Sequence, residues 1–145
     1  AYRGKEGNIL LFRPTSNFER MNQSAVRMCM PRIPAERMLQ ALKALVYLDR
    51  DWVPTADGAA LYLRPTMIVS EPALGLRPSN EYLFFILASP VGAYYAEGFN
   101  PVKIYVEDKY VRAVPGGVGE AKTAGNYAAS VKALTEAQQN GYSQV

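Results

Sequence analysis

The spacing of apolar residues changes part-way along the chain, and this change constrains the fold more than any other feature of the sequence. In residues 17–30 and 34–49, apolar side chains recur every three or four positions, which is typical of helices with one buried face. Residues 59–68 and 82–88 are β-rich runs, and the connection between them contains Pro and Gly. We therefore predict an α/β architecture in which two helices precede these two runs.

Proline and one capping pattern mark the ends of the two predicted helices. Ser16 and Glu19 have capping-box spacing, so the first helix is predicted to begin at about residue 17 and to end before Pro31. Pro34 suits the first turn of the second helix. The predicted apolar stripes are Phe18, Met21, Ala25 and Met28 on the first helix and Met38, Leu39, Leu42, Leu45 and Val46 on the second.

The two ends of the chain carry weaker signals of secondary structure. Residues 1–14 are predicted to form a hairpin around a turn bracketed by glycines, and residues 103–106 and 110–114 are two short β-rich runs. A last helix is expected over residues 126–140, with Gly141 directly after it. The first hairpin arm is very short, and the chain stops where another strand would begin, so both ends are expected to be cut from a longer protein.

The chain has no histidine and one cysteine, and these counts exclude several kinds of site. Without histidine, this chain by itself cannot supply a Ser-His-Asp triad, a His-ligated zinc or a histidine general base. The single cysteine, Cys29, allows neither an internal disulfide nor a thiolate metal cage, so no metal site is expected. Because its neighbours are apolar, Cys29 is predicted to be a small buried residue.

The charge pattern and the hydropathy argue against nucleic acids and membranes as partners. Sixteen Lys and Arg against thirteen Asp and Glu give a net charge of +3, and most of the charges alternate in sign. Nucleic-acid binding would need positive charge clustered on one face, so it is not expected. No apolar stretch approaches the roughly 20 residues of a membrane span. Together with the cysteine count, these features predict a cytoplasmic protein without membrane contacts.

The segment that most suggests a binding or catalytic site is residues 116–127, GGVGEAKTAGNY. Its glycines allow the backbone to approach a ligand closely. A phosphate-binding loop would need Gly where Ala121 stands, so that motif fails at one position. Alternatively, Lys122 lies among small residues and near Tyr127, which suits a desolvated amine with room for a flat ligand. A lysine beside such a turn is also commonly a solvated surface residue.

Five blocks of sequence follow one another in order along the chain. They are FRP-x-x-N-x-x-RM from residue 12, DWVP from residue 51, LYLRPT from residue 61, SPVGAY from residue 89 and GEAKTAGNY from residue 119. This series resembles the branched-chain amino acid aminotransferases, which belong to the D-amino-acid-aminotransferase-like (fold type IV) enzymes that use pyridoxal 5′-phosphate. The resemblance covers residues 1–145, and the first, third and fourth blocks are typical of the branched-chain branch.

The resemblance implies three cofactor-binding residues. Lys122 matches the catalytic lysine that forms the internal aldimine with pyridoxal 5′-phosphate. Arg20 matches the arginine at the cofactor phosphate, where a planar guanidinium offers parallel donors. Tyr127 matches the tyrosine at the cofactor phenolic oxygen. By local pattern alone, Arg20 would be an exposed helix residue and Tyr127 a core tyrosine.

The resemblance also implies three substrate-binding residues. Tyr62 and Arg64 lie two apart on a predicted strand and therefore share a face. They match a pair at the substrate pocket, whose arginine meets the side-chain carboxylate of glutamate. Tyr94 matches a pocket tyrosine between the two domains of the family. Without the resemblance, Arg64 is equally well interpreted as an ion-pair partner.

The implied organisation divides the chain into three parts. Residues 1–92 would belong to a small N-terminal α+β domain, residues 93–101 to an interdomain linker, and residues 102–145 to the beginning of a large cofactor-binding domain. The implied reaction is transamination of leucine, isoleucine and valine with 2-oxoglutarate or glutamate in a homodimer. Family members are longer and carry further site residues, among them a glutamate at the cofactor pyridine nitrogen. The 145-residue chain alone is therefore expected to be inactive.

Other functions remain open at this point. A catalytically incomplete fragment would act as an interaction module through an exposed sheet edge. Within the same fold, a D-amino acid aminotransferase or an aminodeoxychorismate lyase would keep the lysine, but neither is expected to carry the first and third blocks together. Three further residues of the blocks are interpreted as structural: Asn17 as a turn or cap, Asn126 as a helix-start residue and Trp52 as a packing aromatic.

Overall fold

The computed structural model describes residues 1–92 and 100–145, and it has the mixed helix and strand architecture predicted from the sequence. The helices are α1 (Pro14–Arg27), α2 (Ala35–Leu48), a short 3-10 helix (Arg50–Trp52), α3 (Ala124–Ala128) and α4 (Val131–Gln139). The strands are β1 (Tyr2–Arg3), β2 (Ile9–Leu10), β3 (Ala60–Val69) and β4 (Tyr82–Val91). Over these two described ranges, no helix combines the length and the apolar character needed to cross a membrane.

The strands β3 and β4 form an antiparallel hairpin at the two predicted β-rich runs. Ala60 pairs with Val91 at one end and Val69 with Tyr82 at the other, so the strands pair over their full length. The small hairpin of β1 and β2 is also confirmed, and it adjoins β3 because Leu61 N–H donates to the first carbonyl of the chain at 2.8 Å.

The core lies between the β3–β4 hairpin and the helices α1 and α2. Phe18, Met38 and Leu42 are its fully buried centre. Eight partly buried apolar residues pack against them: Leu11, Met21, Ile33, Ala35, Leu39, Leu63, Phe84 and Ile86. Because side chains alternate along a strand, Leu63 faces this core while Tyr62 and Arg64 lie on the opposite face of β3.

The helix α1 begins at Pro14 instead of at about residue 17, and the predicted capping box is not formed. Arg13 precedes the helix with a φ of 47, and Ser16 lies within the first turns, where its Oγ accepts a hydrogen bond from Arg13 Nη2 at 3.3 Å. Proline at the first helical position needs no partner for a backbone N–H, which favours this earlier start. Asn17 reaches back from inside the helix, since its Nδ2 donates to Arg13 O at 3.0 Å.

The connection from α1 to α2 is tied down by Asn22. Its side chain donates to Ile33 O at 2.8 Å and accepts from Ile33 N–H at 3.0 Å. The helix ends at Arg27, before Pro31, and the chain turns through Cys29 with a φ of 56. In this left-handed turn Cys29 is exposed, so the prediction of a buried cysteine is wrong.

The prediction that Trp52 packs in the interior is also wrong. Trp52 ends the 3-10 helix and is 65% exposed. The buried residue of this turn is Val53, which follows it. Arg3 links the N-terminal hairpin to the turn, because its Nε donates to Val53 O at 3.2 Å.

The two short strands predicted over residues 103–106 and 110–114 are not formed in the described chain. Ile104 makes a single parallel bridge with Gln144, and Tyr105 N–H donates to Gln144 O at 2.9 Å. A strand is stable when an extended neighbour satisfies its backbone groups. One bridge supplies too few of those partners, so the β-rich composition of these residues does not produce a strand here.

The last predicted helix is divided into α3 and α4. The break falls at Ser130, whose Oγ donates to Tyr127 O at 2.8 Å and so competes with helical pairing. The predicted end at Gly141 is confirmed: this residue has a φ of 79, and Tyr142 N–H donates to Ala137 O at 3.0 Å. This arrangement is a Schellman motif, which satisfies carbonyls at the end of α4.

Candidate functional site

Residues 116–122, called the glycine segment below, form a compact turn in front of α3. Gly116 has a φ of 74, a conformation that favours glycine. A Cβ on Gly119 would lie 2.6 Å from Ala113 Cβ, so the backbone passes its neighbour at a distance that excludes a side chain. Glycine at these two positions lets the chain fold tightly before it reaches Lys122.

Asn126 closes the glycine segment from the side of α3. Its side chain is buried, and its Nδ2 donates to Val118 O at 2.6 Å and also to Ala121 O. Its Oδ1 is buried without a hydrogen-bond partner among the described residues. Asn126 therefore does more than begin a helix, because it satisfies two carbonyls of the segment that ends at Lys122.

Lys122 and Tyr127 face each other across the start of α3. Lys122 Nζ donates to Tyr127 Oη at 2.9 Å and lies 5.1 Å from the centre of the Tyr127 ring. The hydrogen bond and the positive charge favour the phenolate, so the pKa of Tyr127 lies below its ordinary value. Tyr127 is exposed, so it is not the core tyrosine that local pattern suggests.

The Lys122 amine is not desolvated in this chain. Lys122 is exposed, although the sequence predicts a shielded amine with room beside it. Ala121 before it is buried, and Ala124 two positions after it is exposed. The space beside the lysine is consequently open to solvent.

Two arginines add positive charge to the surface around Tyr127. Arg20 and Arg112 both contribute to the lowered pKa of Tyr127, after the larger effects of Lys122. Arg20 is exposed on α1, where its Nη2 donates to Asn17 Oδ1 at 2.9 Å. Among the described residues, no hydrogen bond or ion pair joins Arg20 to Lys122 or Tyr127. Sequence reasoning missed Arg112, because no block carries it.

Two other residues of α1 contact the glycine segment directly, and sequence reasoning missed both. Ser24 Oγ accepts the backbone N–H of Lys122 at 2.9 Å. Arg27 Nη2 donates to Gly116 O at 3.1 Å and to Gly117 O at 2.9 Å. The partners are 89 to 98 positions apart in the sequence, so no local pattern signals these contacts.

Tyr62 and Arg64 form a separate pair on β3. Arg64 Cζ lies 5.2 Å from the centre of the Tyr62 ring, and both residues are exposed. Arg64 takes part in none of the ion pairs of residues 1–92 and 100–145, and no hydrogen bond there joins this pair to Lys122. The third predicted substrate residue, Tyr94, lies outside the described residues.

The donor set around Lys122 has the chemistry that pyridoxal 5′-phosphate requires. The amine of Lys122 suits an aldehyde, the hydroxyl of Tyr127 suits a phenolic oxygen, and the guanidinium of Arg20 suits a phosphate. In the part of the chain that the structure describes, no group of three or more Cys, Asp or Glu side chains is placed to hold a metal ion. The side chains of Lys122, Tyr127 and Arg20 therefore fit the cofactor that the sequence blocks imply.

The sequence of this chain matches the family described as amino-transferase class IV over residues 1–145. The chain belongs to this aminotransferase family. Among curated proteins, it is 54% identical over 145 residues to branched-chain-amino-acid aminotransferase 2 of Bacillus subtilis and 55% identical over 146 residues to branched-chain-amino-acid transaminase 1 of the same organism. It is 51% identical over 146 residues to a probable branched-chain-amino-acid aminotransferase of Streptomyces coelicolor.

These comparisons confirm the resemblance to branched-chain aminotransferases. For residues 116–127 they favour the aminotransferase interpretation over the phosphate-binding loop. Each of the three alignments covers the whole of this class IV chain. The chain spans about 40% of the length of these curated relatives.

Proposed function

We propose that the full-length protein containing this chain transfers amino groups between branched-chain amino acids and 2-oxoglutarate, with pyridoxal 5′-phosphate as its cofactor. The names of relatives that are 51–55% identical over the whole chain support this function. The observation that carries the chemistry is the hydrogen bond of 2.9 Å between Lys122 Nζ and Tyr127 Oη, on a surface made positive by arginine.

Three residues would hold the cofactor. The Lys122 amine is the group for covalent attachment to its aldehyde, the Tyr127 hydroxyl hydrogen-bonds its phenolic oxygen, and the Arg20 guanidinium binds its phosphate. When bound, the cofactor supplies an electron sink for the substrate Cα. Lys122 Nζ is the group that takes and returns the proton at that carbon. Tyr127 orients this amine, since the phenol already contacts it at 2.9 Å.

Three residues would contact the substrate. The exposed pair of Tyr62 and Arg64 offers an aromatic ring and a positive charge on one face of β3. An arginine there would donate hydrogen bonds to the side-chain carboxylate of glutamate. Leucine, isoleucine and valine would need only the apolar surroundings. Tyr94 is the third proposed pocket residue. This division explains how one pocket would take both an acidic and an apolar amino acid.

The organisation of the whole protein follows from the same proposal. The fold would be type IV, with residues 1–92 in a small α+β domain, residues 93–101 as the linker and residues 102–145 opening the cofactor-binding domain. We propose a cytoplasmic homodimer. Since Lys122 is exposed in this chain, the rest of the protein would shield the amine from water. The 145-residue chain by itself is accordingly expected to be inactive.

The test is amino transfer from leucine to 2-oxoglutarate by the full-length protein, measured as glutamate formed. Lys122→Ala is expected to lower turnover by at least about 10²-fold, the lower end of the range for a positioned acid–base group. Lys109→Ala is the matched control, since Lys109 is also an exposed lysine beside a tyrosine, with its Nζ 4.8 Å from the centre of the Tyr110 ring. Normal turnover by Lys122→Ala would contradict the proposal.

Arg64 is tested by comparing two amino donors. Arg64→Ala is expected to lower kcat/KM for glutamate by about tenfold or more relative to leucine, because hydrogen bonds to a charged group contribute about 1.5–3 kcal/mol. Tyr62→Phe, which keeps the ring next to Arg64, is the companion variant. Equal losses for both donors in Arg64→Ala would remove this residue from the substrate site.

A further inference from the structure

One face of α1 carries three polar residues, two of which contact the segment that leads to Lys122. Arg20, Ser24 and Arg27 are spaced by four and three positions, so they form one stripe along the helix. Arg20 adds its charge to the surface at Tyr127, and the other two residues contact the glycine segment. A single helix therefore carries the proposed phosphate-binding arginine and the two residues that contact the segment leading to the lysine.

Ser24 is the residue of this stripe that contacts Lys122 itself. The Ser24 hydroxyl is buried and accepts the Lys122 backbone N–H at 2.9 Å. Ala121, the residue before the lysine, is also buried. The side chain of Lys122 thus leaves a buried backbone that is anchored to α1, although its own amine is exposed.

Arg27 holds the opposite end of the glycine segment. One nitrogen, Nη2, donates to the carbonyls of both Gly116 and Gly117, at 3.1 Å and 2.9 Å. The Nε of Arg27 also lies 3.8 Å from Glu120 Oε1. Arg27 therefore contacts one carboxylate and two backbone carbonyls. These carbonyls lie in a turn without regular secondary structure, which supplies them with no ladder partner.

We infer that Ser24 and Arg27 are positioning residues for Lys122: through the glycine segment they set the distance between the lysine amine and a cofactor held by Arg20. This inference rests on the proposed function and adds two residues to its site. The physical reason is that an amine must meet its target within a few tenths of an ångström, and a misplacement of about 1 Å costs about 10²-fold in rate. Neither residue touches the reacting atoms, so their effect is on geometry alone.

The experiment separates attachment from binding in the cofactor-free full-length protein. Attachment is the rate at which the aldehyde of pyridoxal 5′-phosphate condenses with the Lys122 amine, with release of water. The product is reduced with borohydride at successive times and located in the Lys122 peptide. Binding is the affinity for pyridoxamine 5′-phosphate, which has no aldehyde and cannot bond to the lysine. The variants are Ser24→Ala and Arg27→Met, with Ser24→Thr retaining the hydroxyl. Arg37→Met, on the exposed side of α2, is the control.

Ser24→Ala and Arg27→Met are expected to attach the cofactor about 10- to 100-fold more slowly while binding pyridoxamine 5′-phosphate nearly as well as the unchanged protein. Ser24→Thr is expected to recover most of the rate, and Arg37→Met to change neither quantity. Attachment at the unchanged rate in both variants, or an equal loss of attachment and binding, would overturn the inference. Absence of attachment at Lys122 in the unchanged protein would instead overturn the proposed function.

A second measurement decides the case where the variants fail to fold. Amide hydrogen exchange in the unchanged protein reports directly on the Ser24 contact. The Lys122 amide is expected to exchange about fivefold more slowly than the amide of exposed Glu120, since a hydrogen bond contributes about 1 kcal/mol. Equal exchange at these two amides would overturn the inference without any substitution.

Discussion

Lys122 and Tyr127 meet because of the way in which the chain enters α3. The segment between them includes the first turn of that helix, and this turn brings the phenol back to within 2.9 Å of the amine. The sequence motif predicts that both residues belong to one site, since they lie in one block. It does not predict the exposure of the amine in this chain, because exposure depends on residues elsewhere that cover it.

The coupling between these two residues is measurable as a pKa. Lys122→Met removes the donor and the charge that favour the phenolate, so the pKa of Tyr127 is expected to rise toward its ordinary value of 10.0. The measurement is an NMR titration of labelled tyrosine in the cofactor-free full-length protein, with Tyr127→Phe assigning the signal. Lys109→Met serves as the matched control. A Tyr127 pKa that is unchanged in Lys122→Met would show that the two groups are not in contact.

The elements formed by regular apolar spacing were the easiest to predict. The second helix, predicted over residues 34–49, spans Ala35–Leu48, and β3 and β4 lie at the predicted β-rich runs. The start of α1 was predicted less well because Pro14 and the Ser16 pattern compete for the same helix end. Residues 103–106 are β-rich in composition but form only a single bridge. A strand depends on a pairing neighbour, which the local sequence does not specify.

The packing of α2 against the β3–β4 hairpin predicts a sharp difference between two leucines. Leu42 is buried in the core, whereas Leu48 of the same helix is 73% exposed. Leu42→Ala is expected to lower the free energy of unfolding by about 2–5 kcal/mol through lost contacts and a cavity. Leu48→Ala is expected to change it by less than about 0.5 kcal/mol. Urea unfolding measures both, and similar losses would contradict the assignment of the core.

The connection between β3 and β4 is organised by Glu71. Its carboxylate accepts hydrogen bonds from Arg77 Nη2 at 2.6 Å, from Asn80 N–H at 2.8 Å and from Ser79 Oγ at 3.0 Å. The Arg77 contact, with smaller contributions from Asn80 and Ser79, holds the pKa of Glu71 below its ordinary value. We therefore expect the hydrogen bonds of this connection to depend on the ionisation of Glu71.

Because the pKa of Glu71 is lowered on folding, the stabilisation is present above the ordinary glutamate value of 4.5 and is lost as the pH falls through the lowered pKa. The amide proton of Asn80 is expected to shift and to lose protection in that acidic range, as followed by NMR. Glu71→Gln should abolish the titration. A transition of the Asn80 signal at or above pH 4.5 would be inconsistent with this account.

At the scale of the whole molecule, the glycine segment depends on a helix from the other end of the chain. Ser24 and Arg27 contact it from α1, and these contacts cannot be predicted from spacing because the partners are 89 to 98 positions apart. The motif blocks predict a set of site residues, but they do not indicate Ser24 and Arg27, which contact the glycine segment. The membership of the chain in the class IV aminotransferases agrees with the prediction, and the chain spans about 40% of its curated relatives.

We propose that the amine of Lys122 is the covalent anchor of the cofactor. The direct measurement is to incubate the full-length protein with pyridoxal 5′-phosphate, reduce it with borohydride, digest it and find the modified peptide by mass spectrometry. We expect a visible absorbance band that reduction removes, and one stoichiometric label on Lys122. A label on another lysine such as Lys109, or a colourless protein with no label, would contradict it.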